Sequence, residues 1–256
     1  AIGYEALGAN TTGGFNTAVG RDSLKANTTG AYNVSVGANS ADALTTGGQN
    51  VAIGHAALGS DTKGSKTIAI GESALFAQNF TSATDTYNVA IGENAGTAVT
   101  TGVANILIGG LTGDALTDAD YNTAIGHQAL STDTLGSRSV ALGYFALRNQ
   151  NFTSATNSYN TALGFAAGEA ITTGVQNTLI GGLAGDANTT GANNTTLGYL
   201  SLTANTTGSG NVALGKAALE SNTTADNNTA VGKDTLRLNT TGHSGVAVGK
   251  DALAAN

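Results

Sequence analysis

The segment Asn16-Thr-Ala-Val-Gly20 recurs along the whole chain and decides its fold. Its closing glycine returns every 17 residues, except for two steps of 21 residues that follow Gly71 and Gly143. Val, Ile or Leu precedes each of these glycines, and Asn stands four positions before them in eleven of fourteen copies. A short fixed period indicates stacked structural units. The phased glycines are Gly3, Gly20, Gly37, Gly54, Gly71, Gly92, Gly109, Gly126, Gly143, Gly164, Gly181, Gly198, Gly215, Gly232 and Gly249.

Each period predicts one coil of a solenoid. The alternating segment Asn-x-Ala-[Val/Ile]-Gly predicts a strand, and we expect the fifteen aliphatic residues before the phased glycines to be buried. An Ala-Leu or Ser-Leu pair follows, and a Thr-Thr-Gly segment predicts a turn in which glycine supplies a positive φ. In the two long coils Asp85 and Asn157 take that turn position. The fold class predicted is all-β: a parallel β-solenoid, or β-roll, of about fifteen 17-residue coils, with residues 1–256 forming a single continuous domain.

A second level of duplication lies on top of the short period. Residues 50–121 and 122–193 are two copies of one 72-residue block, and both contain Gln-Asn-Phe-Thr-Ser-Ala-Thr. Each block has one long coil with four extra residues, which we expect to bulge outward as a loop because the core phase resumes after it. Neither end of the chain carries a cap. We therefore expect a fragment of a longer fibre, with head-to-tail assembly into a filament as the alternative.

Composition excludes several classes of function. Only 11% of residues are charged, the formal net charge is −7, and no basic stripe is available to bind nucleic acid. No run of about 20 apolar residues predicts membrane insertion. The chain has no Cys, which excludes disulfides and most zinc sites. Its apolar residues are mostly Ala, Val, Ile and Leu, which suit a narrow core.

No catalytic constellation, cofactor motif or metal site is predicted. His55 and His127 are equivalent copies four coils apart, too distant to share a metal within one chain. Asp114 and Asp186 occur once per block, whereas a calcium roll needs Asp in successive repeats, so they are predicted turn residues. The Asn-Thr-Thr sequons are also predicted to be turns rather than glycosylation sites. Without clustered carboxylates, a polysaccharide-degrading enzyme is disfavoured, and we predict that the chain is not an enzyme.

The repeat resembles a known family. Asn16-Thr-Ala-Val-Gly20 and Asn50-Val-Ala-Ile-Gly54 are similar to the head repeat of trimeric autotransporter adhesins, and the run from Asn211 to Thr224 resembles repeats of phage tail fibres. The resemblance covers essentially the whole chain and implies a left-handed β-roll with three chains side by side. It also implies an extracellular location, on a virion tail fibre or a bacterial cell surface. The 17-residue period is longer than the family's usual repeat, so the cross-section of the coil must differ.

Together these observations predict an adhesive or structural fibre. We expect a homotrimer, because a 17-residue coil buries little apolar area alone. Ice binding by a threonine ladder is a further alternative, although the Thr-Thr pair points its side chains to opposite faces.

Recognition of a cell-surface glycan or protein receptor is predicted on the two inserted loops, which break the period and carry aromatic residues. The alternative is that the two phenylalanines only plug the base of a longer coil. The candidate binding residues are Asn79, Phe80, Tyr87, Asn151, Phe152 and Tyr159.

Overall fold

A computed structural model describes residues 1–255, and these residues contain strands and turns but no helix. Fourteen strands of three residues form one type, and four strands of two residues accompany the two long coils. The predicted all-β class is confirmed. The strands are β1 (Thr17–Val19), β2 (Val34–Val36), β3 (Val51–Ile53), β4 (Gly64–Ser65), β5 (Ile68–Ile70), β6 (Thr84–Asp85), β7 (Val89–Ile91), β8 (Ile106–Ile108), β9 (Thr123–Ile125), β10 (Gly136–Ser137), β11 (Val140–Leu142), β12 (Thr156–Asn157), β13 (Thr161–Leu163), β14 (Thr178–Ile180), β15 (Thr195–Leu197), β16 (Val212–Leu214), β17 (Thr229–Val231) and β18 (Val246–Val248).

The chain divides into two compact units, Ala1–Ala124 and Ile125–Asn256. In the first unit the parallel strand order is β1-β2-β3-β5-β7-β8, and Ile2 adds an isolated parallel bridge to Val19. In the second unit the order is β11-β13-β14-β15-β16-β17-β18. Strands pair with their equivalents one coil later, as when Thr17 pairs with Val34. The predicted parallel β-solenoid of 17-residue coils is thereby confirmed within each unit.

The strands bury the opposite set of residues from the one predicted. The middle residue of every three-residue strand is buried, as Ala18 and Ala52 are, whereas none of the aliphatic residues before the phased glycines is. Ile53 is 36% exposed, Leu163 45% and Leu197 52%. Side chains alternate across a strand, so a phase error of one residue exchanges the two faces. Leu residues such as Leu24 and Leu58 fill much of the interior. The space that remains beside them suits a small side chain such as Ala from the strand.

Asparagine and threonine ladders connect successive coils. The Asn33 amide NH donates to Asn16 Oδ1 at 2.8 Å, and Asn33 Nδ2 donates to the Gly47 carbonyl at 3.0 Å. Thr28 Oγ1 donates to the Thr45 carbonyl at 3.1 Å. These bonds satisfy buried polar groups that would otherwise oppose folding.

The turn prediction is wrong in its mechanism. The glycine of Thr-Thr-Gly, as at Gly30, does not have a positive φ, and neither Asp85 nor Asn157 does. Gly30 is required because a Cβ there would collide with the carbonyl oxygen of Gly47 in the next coil. Left-handed backbone occurs elsewhere, at the residues two and four positions after many phased glycines and five positions before most of them, including Tyr87 with φ 52°.

Candidate functional site

The most distinctive surface is the outer side of the three-residue strands, which we call the outer face. It is made by the residues three and one positions before the phased glycines. The residues two positions before are buried in every three-residue strand, and those four positions before are buried at every such strand except the first and the last, where Asn16 and Gly245 are half-buried. Two further columns border this face. The leading rim is the residue five positions before each phased glycine, and the trailing rim is the residue directly after it.

The centre of the outer face is aliphatic over successive coils. Over the coils that end at Gly20 to Gly109, its two columns contain one threonine and otherwise only Val and Ile, and none of them is buried. Side chains of this size in contiguous columns make an apolar surface of the kind that marks an interaction site. These residues are Thr17, Val34, Val51, Ile68, Val89, Ile106, Val19, Val36, Ile53, Ile70, Ile91 and Ile108.

The leading rim carries most of the exposed tyrosines of the first unit. Phe15 and Tyr32 stack with ring centroids 5.0 Å apart. Lys66 Nζ lies 5.0 Å from the centroid of Tyr87 and 2.6 Å from Asp85 Oδ2. Tyr87 therefore belongs to a continuous rim of the outer face and not to an inserted loop.

The trailing rim is aromatic in the first three coils of the second unit. The ring centroids of His127 and Tyr144 are 5.5 Å apart, and those of Tyr144 and Phe165 are 5.6 Å apart with planes inclined by only 2°. The guanidinium of Arg148 lies 4.1 Å from the centroid of Phe145, at the flank of this stack. Both rims therefore add aromatic surface to the aliphatic centre.

The structure separates the predicted loop residues from one another. Phe80 and Phe152 are only 7% and 6% exposed, in agreement with the alternative that they plug the base of the long coil. Asn79 is exposed and its Oδ1 accepts a hydrogen bond from Thr62 Oγ1, while Asn151 is half-buried. Tyr159, like Tyr87, lies on the leading rim. The exposed tips of the insertions are residues 81–83 and 153–155.

A buried polar network anchors each insertion, and the sequence analysis missed it. Asp61 Oδ1 accepts bonds from the amides of Gly64 at 3.0 Å and Phe80 at 3.2 Å, and Asp61 Oδ2 accepts one from Gln78 Nε2 at 2.7 Å. Gln78 Oε1 in turn accepts a bond from Asn88 Nδ2 at 2.9 Å. A carboxylate offers two acceptor oxygens and no donor, whereas a neutral amide offers one acceptor oxygen and an NH₂ group that must itself find acceptors.

The second long coil repeats this network with Asp133, Gln150 and Asn160. One signal in the sequence could have revealed it. Asp replaces the usual Asn of the Asn-Thr-Thr turn only in the coil before each insertion, and Gln follows 17 residues later.

The remaining candidate residues lie apart. His55 Nδ1 is 3.8 Å from Glu72 on the surface. Within residues 1–255, no group of three His, Cys, Asp or Glu side chains could hold a metal ion. The sequon residues Asn27 and Asn188 are fully buried, and each donates to a glycine carbonyl three residues later. These asparagines have the predicted role in the turn.

Asp114 is a half-buried carboxyl whose Oδ1 has no hydrogen-bond partner, whereas its equivalent Asp186 accepts a bond from Thr203 Oγ1. Burial raises the pKa of Asp114. The folded state therefore holds this proton more tightly than the unfolded chain does, so the stability contributed by Asp114 falls as pH rises through the raised pKa.

We expect Asp114→Asn to remove this pH dependence. Its free energy of unfolding, measured by thermal denaturation, should match that of the parent near pH 3 and exceed it at pH 7, by less than about 1 kcal/mol because the carboxyl is only half-buried. Asp118→Asn, at an exposed carboxyl, is the matched control. An equal shift of Asp114→Asn at both pH values would show that desolvation is not the cause.

No family model, curated protein or solved structure matches this chain. Its function must therefore be argued from the surface itself. Over residues 1–255 no helix has the length and apolar character needed to cross a membrane.

Proposed function

We propose that this chain is a structural and adhesive segment of an extracellular homotrimeric fibre. The observation that carries the proposal is the aliphatic centre of the outer face, where Val, Ile and Leu side chains remain partly exposed in coil after coil. Covering the exposed half of one Ile or Leu side chain is worth about 1 kcal/mol. Because the same columns continue over many coils, association along the coil stack multiplies this gain.

The width of the outer face limits the number of chains. From leading to trailing rim the face spans seven residues, or six steps, which is about 20 Å in extended chain. Three such faces around an axis enclose a space with an inner radius of about 6 Å, which aliphatic side chains can fill, whereas four would leave about 10 Å. Two faces could also pack as a pair of sheets. The resemblance to trimeric adhesin repeats favours three.

Adhesion is assigned to surfaces that this contact leaves uncovered. The tips of the insertions, residues 81–83 and 153–155, are exposed and lie on the buried Asp61 and Asp133 networks. A rigid base with an exposed polar tip suits recognition of a glycan or protein receptor. Three chains would present several copies, so that weak contacts combine through avidity.

Ice binding has less support from the geometry. The hydroxyls of Thr28, Thr45 and Thr189 each donate to the carbonyl of the next coil. Their orientation is fixed by the backbone of the solenoid, which leaves the second threonine of each pair, such as Thr190 and Thr207, as the exposed one.

We expect the parent chain to sediment with three times the mass of one chain, and Leu163→Lys/Leu197→Lys to sediment as a monomer. Each lysine would place an ammonium group in the apolar contact, and burying an unpaired charge costs several kcal/mol. The matched control is Thr190→Lys/Thr207→Lys, which adds the same two charges at exposed threonines outside the outer face.

The measurement is sedimentation equilibrium over a hundredfold range of concentration, with circular dichroism to confirm that each variant keeps its strands. A folded parent with the mass of one chain would overturn the fibre proposal. A mass that grows steadily with concentration would instead support the head-to-tail filament.

A further inference from the structure

We infer that the two rims of the outer face pair with each other between copies of this chain, coil by coil, in a parallel and in-register contact. The inference rests on the proposed function, because it concerns the same face. It adds which side chains meet, which direction the copies run and which coil lies beside which.

Symmetry sets which columns can meet. If the rotation axis runs parallel to the stack of coils, the leading rim of one copy comes beside the trailing rim of the next at the same coil, for two copies or for three. With two copies the contact is isologous, and with three it is heterologous and closes into a ring. A two-fold axis perpendicular to the stack reverses the order of the coils, and equivalent coils then do not meet.

The charges of the two rims fit the same-coil pairing. Lys66 on the leading rim shares its coil with Glu72 on the trailing rim. Lys66 Nζ already donates to Asp85 Oδ2 and to the Tyr87 hydroxyl, and the third donor of the ammonium can bond a second carboxylate. Glu72 is exposed, with 65% of its side chain accessible. In the second unit Arg138 shares its coil with Tyr144, an arrangement suited to a cation–π contact.

The sizes of the rim residues fit as well. Tyr159 shares its coil with Phe165, so two exposed rings would meet. Ala104 shares its coil with Gly110, so two small residues would meet. At these two coils the residues that would meet are of similar size.

Like charges never occupy both rims of one coil. The trailing rim ends in three lysines, and the leading-rim residues of their coils are neutral. Those pairs are Gly210 with Lys216, Asn227 with Lys233, and Ser244 with Lys250.

A shift of one coil in one direction loses the charge matches, because Lys66 would lie beside His55 and Arg138 beside His127. In the other direction Lys66 would lie beside Glu93 and Arg138 beside Phe165, so those matches persist, although Tyr159 would lie beside Gly182. Closed rotational symmetry about an axis parallel to the stack admits neither shift, so the in-register arrangement follows from the symmetry.

Disulfide trapping tests the pairing directly, because the chain contains no cysteine. In Lys66→Cys/Glu72→Cys the two thiols of one chain are separated by roughly 15–20 Å of extended chain, too far for a disulfide within the chain. We expect oxidation to convert most of the protein to a covalent ring of three chains on a non-reducing gel, and reduction to return it to single chains. Each single-cysteine variant should give no such band.

The register control is Lys66→Cys/Ala38→Cys, in which the trailing-rim thiol lies two coils away, about 10 Å along the stack. This variant should crosslink at least tenfold less. An independent pair in the second unit, Tyr159→Cys/Phe165→Cys, should again give the three-chain band. Circular dichroism of the reduced proteins verifies that these surface changes leave the coils folded.

The outcomes separate this inference from the proposed function. A parent that sediments as a trimer while neither matched pair crosslinks, or while the two-coil control crosslinks equally well, overturns the pairing and leaves the trimer standing. A covalent two-chain product from a parent of two-chain mass supports the pairing and overturns the trimer. A folded monomeric parent overturns both.

Discussion

Gly54→Ala is expected to unfold the coils around its position, with a loss of more than about 4 kcal/mol in the free energy of unfolding. Gly54 has φ +132°, a conformation that residues with a Cβ rarely adopt, and a methyl group there would collide with the carbonyl oxygen of Gly71 in the next coil. The Cα that carries the methyl group and the carbonyl of Gly71 both belong to a repeating backbone, and hydrogen bonds to the coils on either side hold that backbone in place. Local relaxation is therefore blocked, and the strain must open the ladder between these coils.

Gly14→Ala is the matched control, because Gly14 lacks a positive φ and a Cβ there would meet no atom within 4 Å. Urea titration followed by circular dichroism should show a stability within about 0.5 kcal/mol of the parent for Gly14→Ala. If Gly54→Ala matched this control, the phased glycines would not be needed for the approach of the coils.

Asp61→Ala should lower the stability of the first unit by about 3 kcal/mol or more. The substitution leaves the Gln78 Nε2 group and the amides of Gly64 and Phe80 without the acceptor that they have in the parent. Each buried donor without a partner costs about 1–3 kcal/mol. The Phe80 plug would lose its anchor at the same time, so the insertion should become the first segment to open.

Two measurements check this expectation. Urea titration gives the loss of stability, and hydrogen exchange should show faster exchange at residues 78–88 than elsewhere in the first unit. Asp85→Ala, which removes an exposed carboxylate from the same long coil, should cost less than about 1 kcal/mol. Equal effects of Asp61→Ala and Asp85→Ala would argue against the buried network.

The period of the solenoid could be predicted from the sequence because every coil has glycine at the same position. The phase of the strand could not be predicted from the same pattern. A strand of three residues has one buried position and two exposed ones, and the rule that large aliphatic residues lie inside assigned Val19 and Ile53 to the wrong side. In a fibre that associates laterally, the aliphatic residues divide between the interior of one chain and a contact outside it.

The rims and the buried network could not be predicted from the sequence alone. Tyr87 and Tyr159 were close in sequence to the insertions, which made them candidates for loop residues, but stacking places them in a column with residues one coil away. Asp61 and Gln78 are 17 residues apart and individually unremarkable in a polar chain. Their role is visible only in the structure, where the long coil adds a strand pair, β4 with β6, beside the insertion between Phe80 and Thr84.

The ladder of backbone bonds has a consequence for how such a chain can change its length. In each unit a coil donates to the next the same pattern of amides and carbonyls that it receives from the previous one, as the matching registers of Thr195 with Val212 and Val212 with Thr229 show. Removing or adding one whole coil leaves every remaining junction of the same kind. Duplication can therefore change the number of coils without any change in the core of the remaining ones. Only insertions shorter than a coil, such as those of the two long coils, require an additional anchoring network.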